Sequence, residues 1–158
     1  MIRGKLVRWI VLVSILLLLT AGGYGWYLWN LPQRDVQATP IDFKITATEL
    51  VQEYLNDAKT ANMKYLQAEG NSKILAVTGK ISAINTDMKN QKVLTLKETQ
   101  DKAGVSCTFT EISNTNAEKL KIGDMVTVKG VIRSGAGYDE DLELYEDVIM
   151  EKCDVLNK

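Results

Sequence analysis

The hydrophobic pattern of this 158-residue chain changes period once, near residue 70, and that change restricts the fold more than any other feature. Before it, Ala47, Leu50, Val51, Tyr54, Ala58, Ala61 and Tyr65 recur at helical spacing, widened by Leu55 and Leu66. Glu49, Gln52, Glu53, Asn56, Lys59, Thr60 and Met63 fill the opposite face. Thr46 with Glu49 three residues on has the capping-box spacing, in which each residue satisfies a backbone N–H of the other at a helix start. Gly70 is placed to stop the helix. One amphipathic helix over 46–68, lying on the domain's own sheet, is therefore expected.

After it the period is two. Leu75, Val77, Ile81 and Ala83 alternate with small or polar residues, so 74–84 reads as a long strand. Gly79 sits in its middle, where a glycine allows a sharp bend. Residues 93–97 and 105–109 read as further strands, residues 117–121 as a short helical piece introduced by Asn116, 125–132 as a fourth strand, and about 142–156 as a final strand region. Five strands with a short helix between the third and fourth is the element order of an OB-fold, a Greek-key barrel whose closure needs a strongly bent strand. An all-β meander or small sandwich is the alternative. The expected class is thus mainly β: a five-stranded OB-fold-like Greek-key barrel preceded by an amphipathic helix and an N-terminal transmembrane helix.

That last element comes from the start of the chain. Residues 10–19 read IVLVSILLLL, and no charge interrupts the sequence from Trp9 to Trp29. About 20 apolar residues span a bilayer. Arg3, Lys5 and Arg8 precede the run, so the positive-inside rule puts residues 1–8 in the cytoplasm and the rest outside the membrane. Tyr24, Trp26, Tyr27 and Trp29 suit the outer headgroup layer. A cleaved signal peptide is the competing reading, and it exports the domain equally. Residues 30–44, with both prolines, read as a linker, and 45–157 as one domain of roughly 115 residues, a usual single-domain size. The expected location is the cell membrane, single-pass, with the C-terminal domain extracytoplasmic.

Residues 40–158 hold 15 of the 19 basic residues and 19 of the 20 acidic ones. A net negative domain is a poor footprint for a polyanion, so nucleic acid is disfavoured as a partner. Histidine is absent, which removes the commonest general base and metal ligand. No catalytic residue, metal site or cofactor is expected, and the chain is not read as an enzyme.

In their order and spacing, several fragments carry a resemblance: the helix segment 46–50 (TATEL) with Asp57 and 61–65 (ANMKY), Val77–Gly79, Val105–Phe109 (VSCTF), Lys121–Asp124 with Val126–Gly130, and Asp147–Cys153. With them the chain resembles the tRNA_anti-like family, small exported bacterial OB-fold proteins with an N-terminal anchor. The resemblance spans residues 42–156 and implies an OB-like barrel. It implies no catalytic motif.

Three groups are candidate sites. Cys107 and Cys153 would lie on neighbouring strands of such a barrel and could pair, closing a loop of about 46 residues worth roughly 3–4 kcal/mol; two buried thiols are the plain alternative. The loop 134–141 offers Tyr138, Asp139, Glu140 and Asp141 at a barrel mouth as a ligand loop, though its spacing is not that of a calcium loop and a solvated hairpin is the simpler reading. Lys80, Lys97, Lys129 and Arg133 would form an oligonucleotide face if they converged. The functional expectation is a membrane-anchored extracytoplasmic binding or scaffolding module for a protein, peptide or small molecule, with oligonucleotide binding as the alternative.

Overall fold

The computed structural model describes residues 9, 13–14, 17, 19–27, 35–66 and 72–156. The chain forms two compact units, 1–34 and 35–158. The described residues of the first are helical. The transmembrane expectation over 9–29 falls largely outside the described residues, and among those described no helix is long and apolar enough to cross a membrane.

The second unit begins earlier than the sequence reading placed it. Val36 is buried, and the Lys129 ammonium donates to the carbonyls of Gln37 (2.7 Å) and Thr39 (2.6 Å). The Gln37 amide returns a bond to the Lys152 carbonyl at 2.7 Å. Beyond this arm, β1 (Phe43–Thr46) pairs in parallel with the start of β2 (Ile74–Thr86). Residues 35–44 are thus folded onto the barrel rather than forming a tether. Four residues holding only Phe43 and Ile45 as an alternating pair are too short a run to show as a strand.

The helix follows as two pieces. At Thr46 the capping box is complete: its hydroxyl accepts from Glu49 N–H at 3.2 Å, and the Glu49 carboxylate accepts from Thr46 N–H at 3.1 Å. Helix α1 (Ala47–Asn56) stops at Asp57, which leaves helical geometry and starts α2 (Ala58–Tyr65) by accepting from Thr60 N–H. The single expected helix is corrected to this pair because an aspartate competes for nearby N–H groups and favours caps over helix interiors. Gly70 lies outside the described residues.

The barrel is closed. Strand β2 pairs with β3 (Lys92–Leu96) through Ile81–Thr86 and with β5 (Met125–Ser134) through Ile74–Lys80. One strand serves both halves, and Gly79 lies at the bend, where a Cβ would come within 2.9 Å of the Ala47 side chain and 3.1 Å of Leu96. Strand β4 (Val105–Phe109) pairs antiparallel with β3 and parallel with β8 (Val148–Val155), which returns to β5. Helix α3 is only Asn114–Ala117, opening three residues before the expected piece. Leu50, Tyr54, Leu75, Ile81, Leu96 and Phe109 are among the fully buried side chains, so α1 closes the barrel end with its apolar stripe.

The expected acidic loop and final strand also divide differently. Strands β6 (Gly137–Asp139) and β7 (Leu144–Glu146) form a separate hairpin between β5 and β8. Asp139 shapes its turn by accepting from the N–H groups of Asp141 and Leu142, both at 2.9 Å.

Candidate functional site

A cleft of about 810 Å³ lies between α1, residues 100–102 and the β6–β7 hairpin. Each wall has a local cause. The stripe that buries Leu50 and Val51 also turns Tyr54 inward, while its neighbours Gln52 and Asn56 stay exposed on the same helix. The segment before β4 is pinned by Asp101, whose carboxylate accepts from the Thr48 hydroxyl at 2.8 Å and Glu98 N–H at 3.0 Å. The hairpin register places Tyr138 directly opposite Tyr145. Their rings lie 4.9 Å apart at 54°, and the Lys102 ammonium stands 5.3 Å from the Tyr145 ring centre.

Tyr54 is the group that most needs explanation. It is 2 % exposed, and its hydroxyl has no hydrogen-bond partner among the described residues. Burial, with smaller contributions from Tyr65 and Glu53, pushes its phenol up to about 12. The ring lies against Gly135, where a Cβ would fall 2.0 Å from a ring carbon, so only glycine admits this approach. An unpaired buried hydroxyl costs about 1–3 kcal/mol. By contrast the nearby Tyr65 hydroxyl donates to the Glu53 carboxylate at 2.8 Å, and that carboxylate also holds Lys64 at 2.9 Å. Asp57 is the helix cap, and Asn62 contributes its carbonyl to the turn ending at Leu66.

Of the expected ligand loop, Tyr138 lines this cleft, whereas Asp139, Glu140 and Asp141 sit at the hairpin turn outside it. No group of three or more His, Cys, Asp or Glu among the described residues could hold a metal ion. Sequence reasoning missed Tyr54 as a wall of this cleft, together with Gln52, Asn56 and Gln100.

The four cations do not converge. Lys80 and Lys97 share a separate shallow cleft of about 430 Å³ with Ile122. Lys129 is buried, clamping the N-terminal arm, and Arg133 is paired with Glu151 at 2.6 Å. The convergence that an oligonucleotide face would require is not seen, because residues 37–39 cover Lys129 and Glu151 holds Arg133.

Cys107 and Cys153 are both buried and both free, the plainer of the two arrangements read from the sequence. A register shift between Cys107 and Phe109 leaves Met150 opposite Cys107 and Cys153 opposite Phe109. The thiols are diagonal neighbours, and burial, then Cys107 itself, raises the Cys153 thiol well above its ordinary range.

The barrel is similar to that of a candidate nucleic acid-binding lipoprotein from Klebsiella pneumoniae, with a TM-score of 0.54 at 15 % identity over 75 % of this chain and 100 % of that one. A chain of the Stn1-ten1 complex from S. pombe (TM-score 0.36, 19 % identity, 54 % and 59 % covered) is also similar. So is asparaginyl-tRNA synthetase from Entamoeba histolytica (0.36, 16 %, 59 % and 22 %). At these identities the likeness concerns the fold alone. No curated protein matches the chain. The tRNA_anti-like family profile, however, matches residues 1–143, most of the sequence and most of the barrel. The chain is a member of the tRNA_anti-like family.

Proposed function

We propose that this protein is a non-enzymatic binding module, tethered by its N-terminal segment to the outer side of the cytoplasmic membrane, with its ligand seat in the cleft between α1 and the β6–β7 hairpin. The observation that carries this reading is the joint presence in one cleft of the paired Tyr138 and Tyr145 rings and the polar residues Gln52, Asn56 and Gln100. A binding site is a concave, partly apolar surface with a few convergent polar groups, and the cleft's volume lies in the usual range. The tether rests on the uncharged run from Trp9 to Trp29 and the basic residues before it.

A photoreactive p-benzoylphenylalanine in place of Tyr138, in the full chain in its own membrane, tests the seat. Adducts are expected there and not when the same group replaces Lys80. Equal labelling at both positions, or labelling only at Lys80, would contradict the reading. Protease added to intact spheroplasts should remove the domain, and survival of the domain until lysis would refute the sidedness.

Oligonucleotide binding is the second reading. Single strands favour aromatic rings beside a cation, which Tyr145 and Lys102 supply, and a protein of similar fold from Klebsiella pneumoniae is a candidate nucleic acid-binding lipoprotein. The dispersal of Lys80, Lys97, Lys129 and Arg133 and the domain's negative balance weigh against it.

A further inference from the structure

We infer that the ligand of this cleft is a saccharide, an inference that rests on the proposed seat and deepens it. The cleft offers more hydrogen-bonding capacity than the protein uses. Gln52, Asn56 and Gln100 line it, and no protein hydrogen bond to their side-chain amides is seen among the described residues. An amide presents both a carbonyl acceptor and N–H donors, so these groups match hydroxyls, which donate and accept as well. Beside them the Tyr138 and Tyr145 rings, 51 % and 36 % exposed, supply flat apolar faces suited to the C–H face of a pyranose ring. One surface thus combines two recognition chemistries that a sugar ring carries on its rim and its face.

Charge separates this ligand from the others. Among the described residues Lys102 is the only cation on the cleft wall, and the only carboxylate, Asp101, is already engaged by Thr48 and Glu98. A phosphodiester chain draws its affinity from several cations tracking the backbone. A purely apolar ligand would shut the amides away from water without partners, which is costly. A neutral polyhydroxylated ring meets neither penalty, and OB-folds are known hosts for oligosaccharides as well as oligonucleotides.

The test is calorimetric titration of the full chain in a non-glycosidic detergent with chitotetraose, maltotetraose, cellotetraose and a peptidoglycan disaccharide, and in parallel with octathymidylate, at 50 and 300 mM NaCl. At least one saccharide should bind with a Kd that changes less than two-fold between the two salts. Tyr145→Ala should weaken it at least ten-fold, and Gln100→Ala, which removes one lining amide, at least five-fold. The Lys80→Ala control should leave it unchanged. Binding of octathymidylate alone, weakened by Tyr145→Ala and by salt, overturns the saccharide while leaving the seat in place. Binding of any probe that ignores both Tyr145→Ala and Gln100→Ala overturns the saccharide and the seat together. If no saccharide in the panel binds, the saccharide inference is overturned, and labelling at Tyr138 then decides the seat on its own.

Discussion

Replacing Tyr54 by phenylalanine should make the protein more stable, although it alters one of the largest fully buried side chains. The ring, its packing against Gly135 and its contact with Tyr65 at 6.2 Å between centres all remain. Only the hydroxyl goes, and in the folded protein that group is desolvated without a partner. A buried unsatisfied group costs about 1–3 kcal/mol, and allowing for the small void left by one oxygen, a gain of about 1 kcal/mol is expected. For a domain of this size that is a rise of about 3–6 °C in Tm. Tyr65→Phe is the internal control with the opposite sign: it removes a 2.8 Å bond to Glu53 and should cost about 1 kcal/mol. Scanning calorimetry of the two variants at neutral pH reads both effects. A Tyr54→Phe protein no more stable than its parent would show that the hydroxyl is satisfied in the folded protein.

The same phenol gives a pH signature. Its folded pKa of about 12 lies above the ordinary 10, so its contribution is fully present below pH 10 and is lost as pH rises toward 12, by about 2–3 kcal/mol at most. Urea midpoints at pH 9 and pH 11.5 should fall less in Tyr54→Phe than in the parent, and parallel falls would refute the assignment. Lys129→Met should cost about 1.5–3 kcal/mol and release the arm, because two carbonyls lose a charged donor. Hydrogen exchange should then accelerate over residues 36–42, and unchanged protection would count against the clamp. Gly130→Ala would push a Cβ to 2.7 Å from the Cys153 sulfur and 3.0 Å from the Glu151 carbonyl, destabilising by about 1–3 kcal/mol in chemical denaturation. Two thiols should react with Ellman's reagent on unfolding and none while folded; no reaction on unfolding would mean the cysteines are bonded.

What the sequence shows of this protein follows contact range. The capping box at Thr46, the apolar stripe of α1 and the bend at Gly79 are legible because each is written within a few residues. The break at Asp57 is less so, since one polar residue inside a continuous stripe reads equally well as an exposed helical position. Strands β6 and β7 are three residues each, too short for a period, and their pairing is visible only once Tyr138 meets Tyr145. Lys129 alternates correctly with the exposed lysines, yet a segment some 90 residues earlier covers it. The cleft is the least legible feature: it gathers residues from 51–58, 100–102 and 136–145, and in the sequence Tyr54 is one more member of the core stripe.

The most direct test of the binding seat is hydrogen–deuterium exchange on the full chain in membranes carrying its native ligand, before and after washing with detergent that strips bound small molecules. The account predicts protection in the unwashed sample over residues 51–58, 100–102 and 136–145, lost on washing and unaltered over residues 80–84 and 119–124. Protection confined to the Lys80 and Lys97 side of the barrel would contradict it.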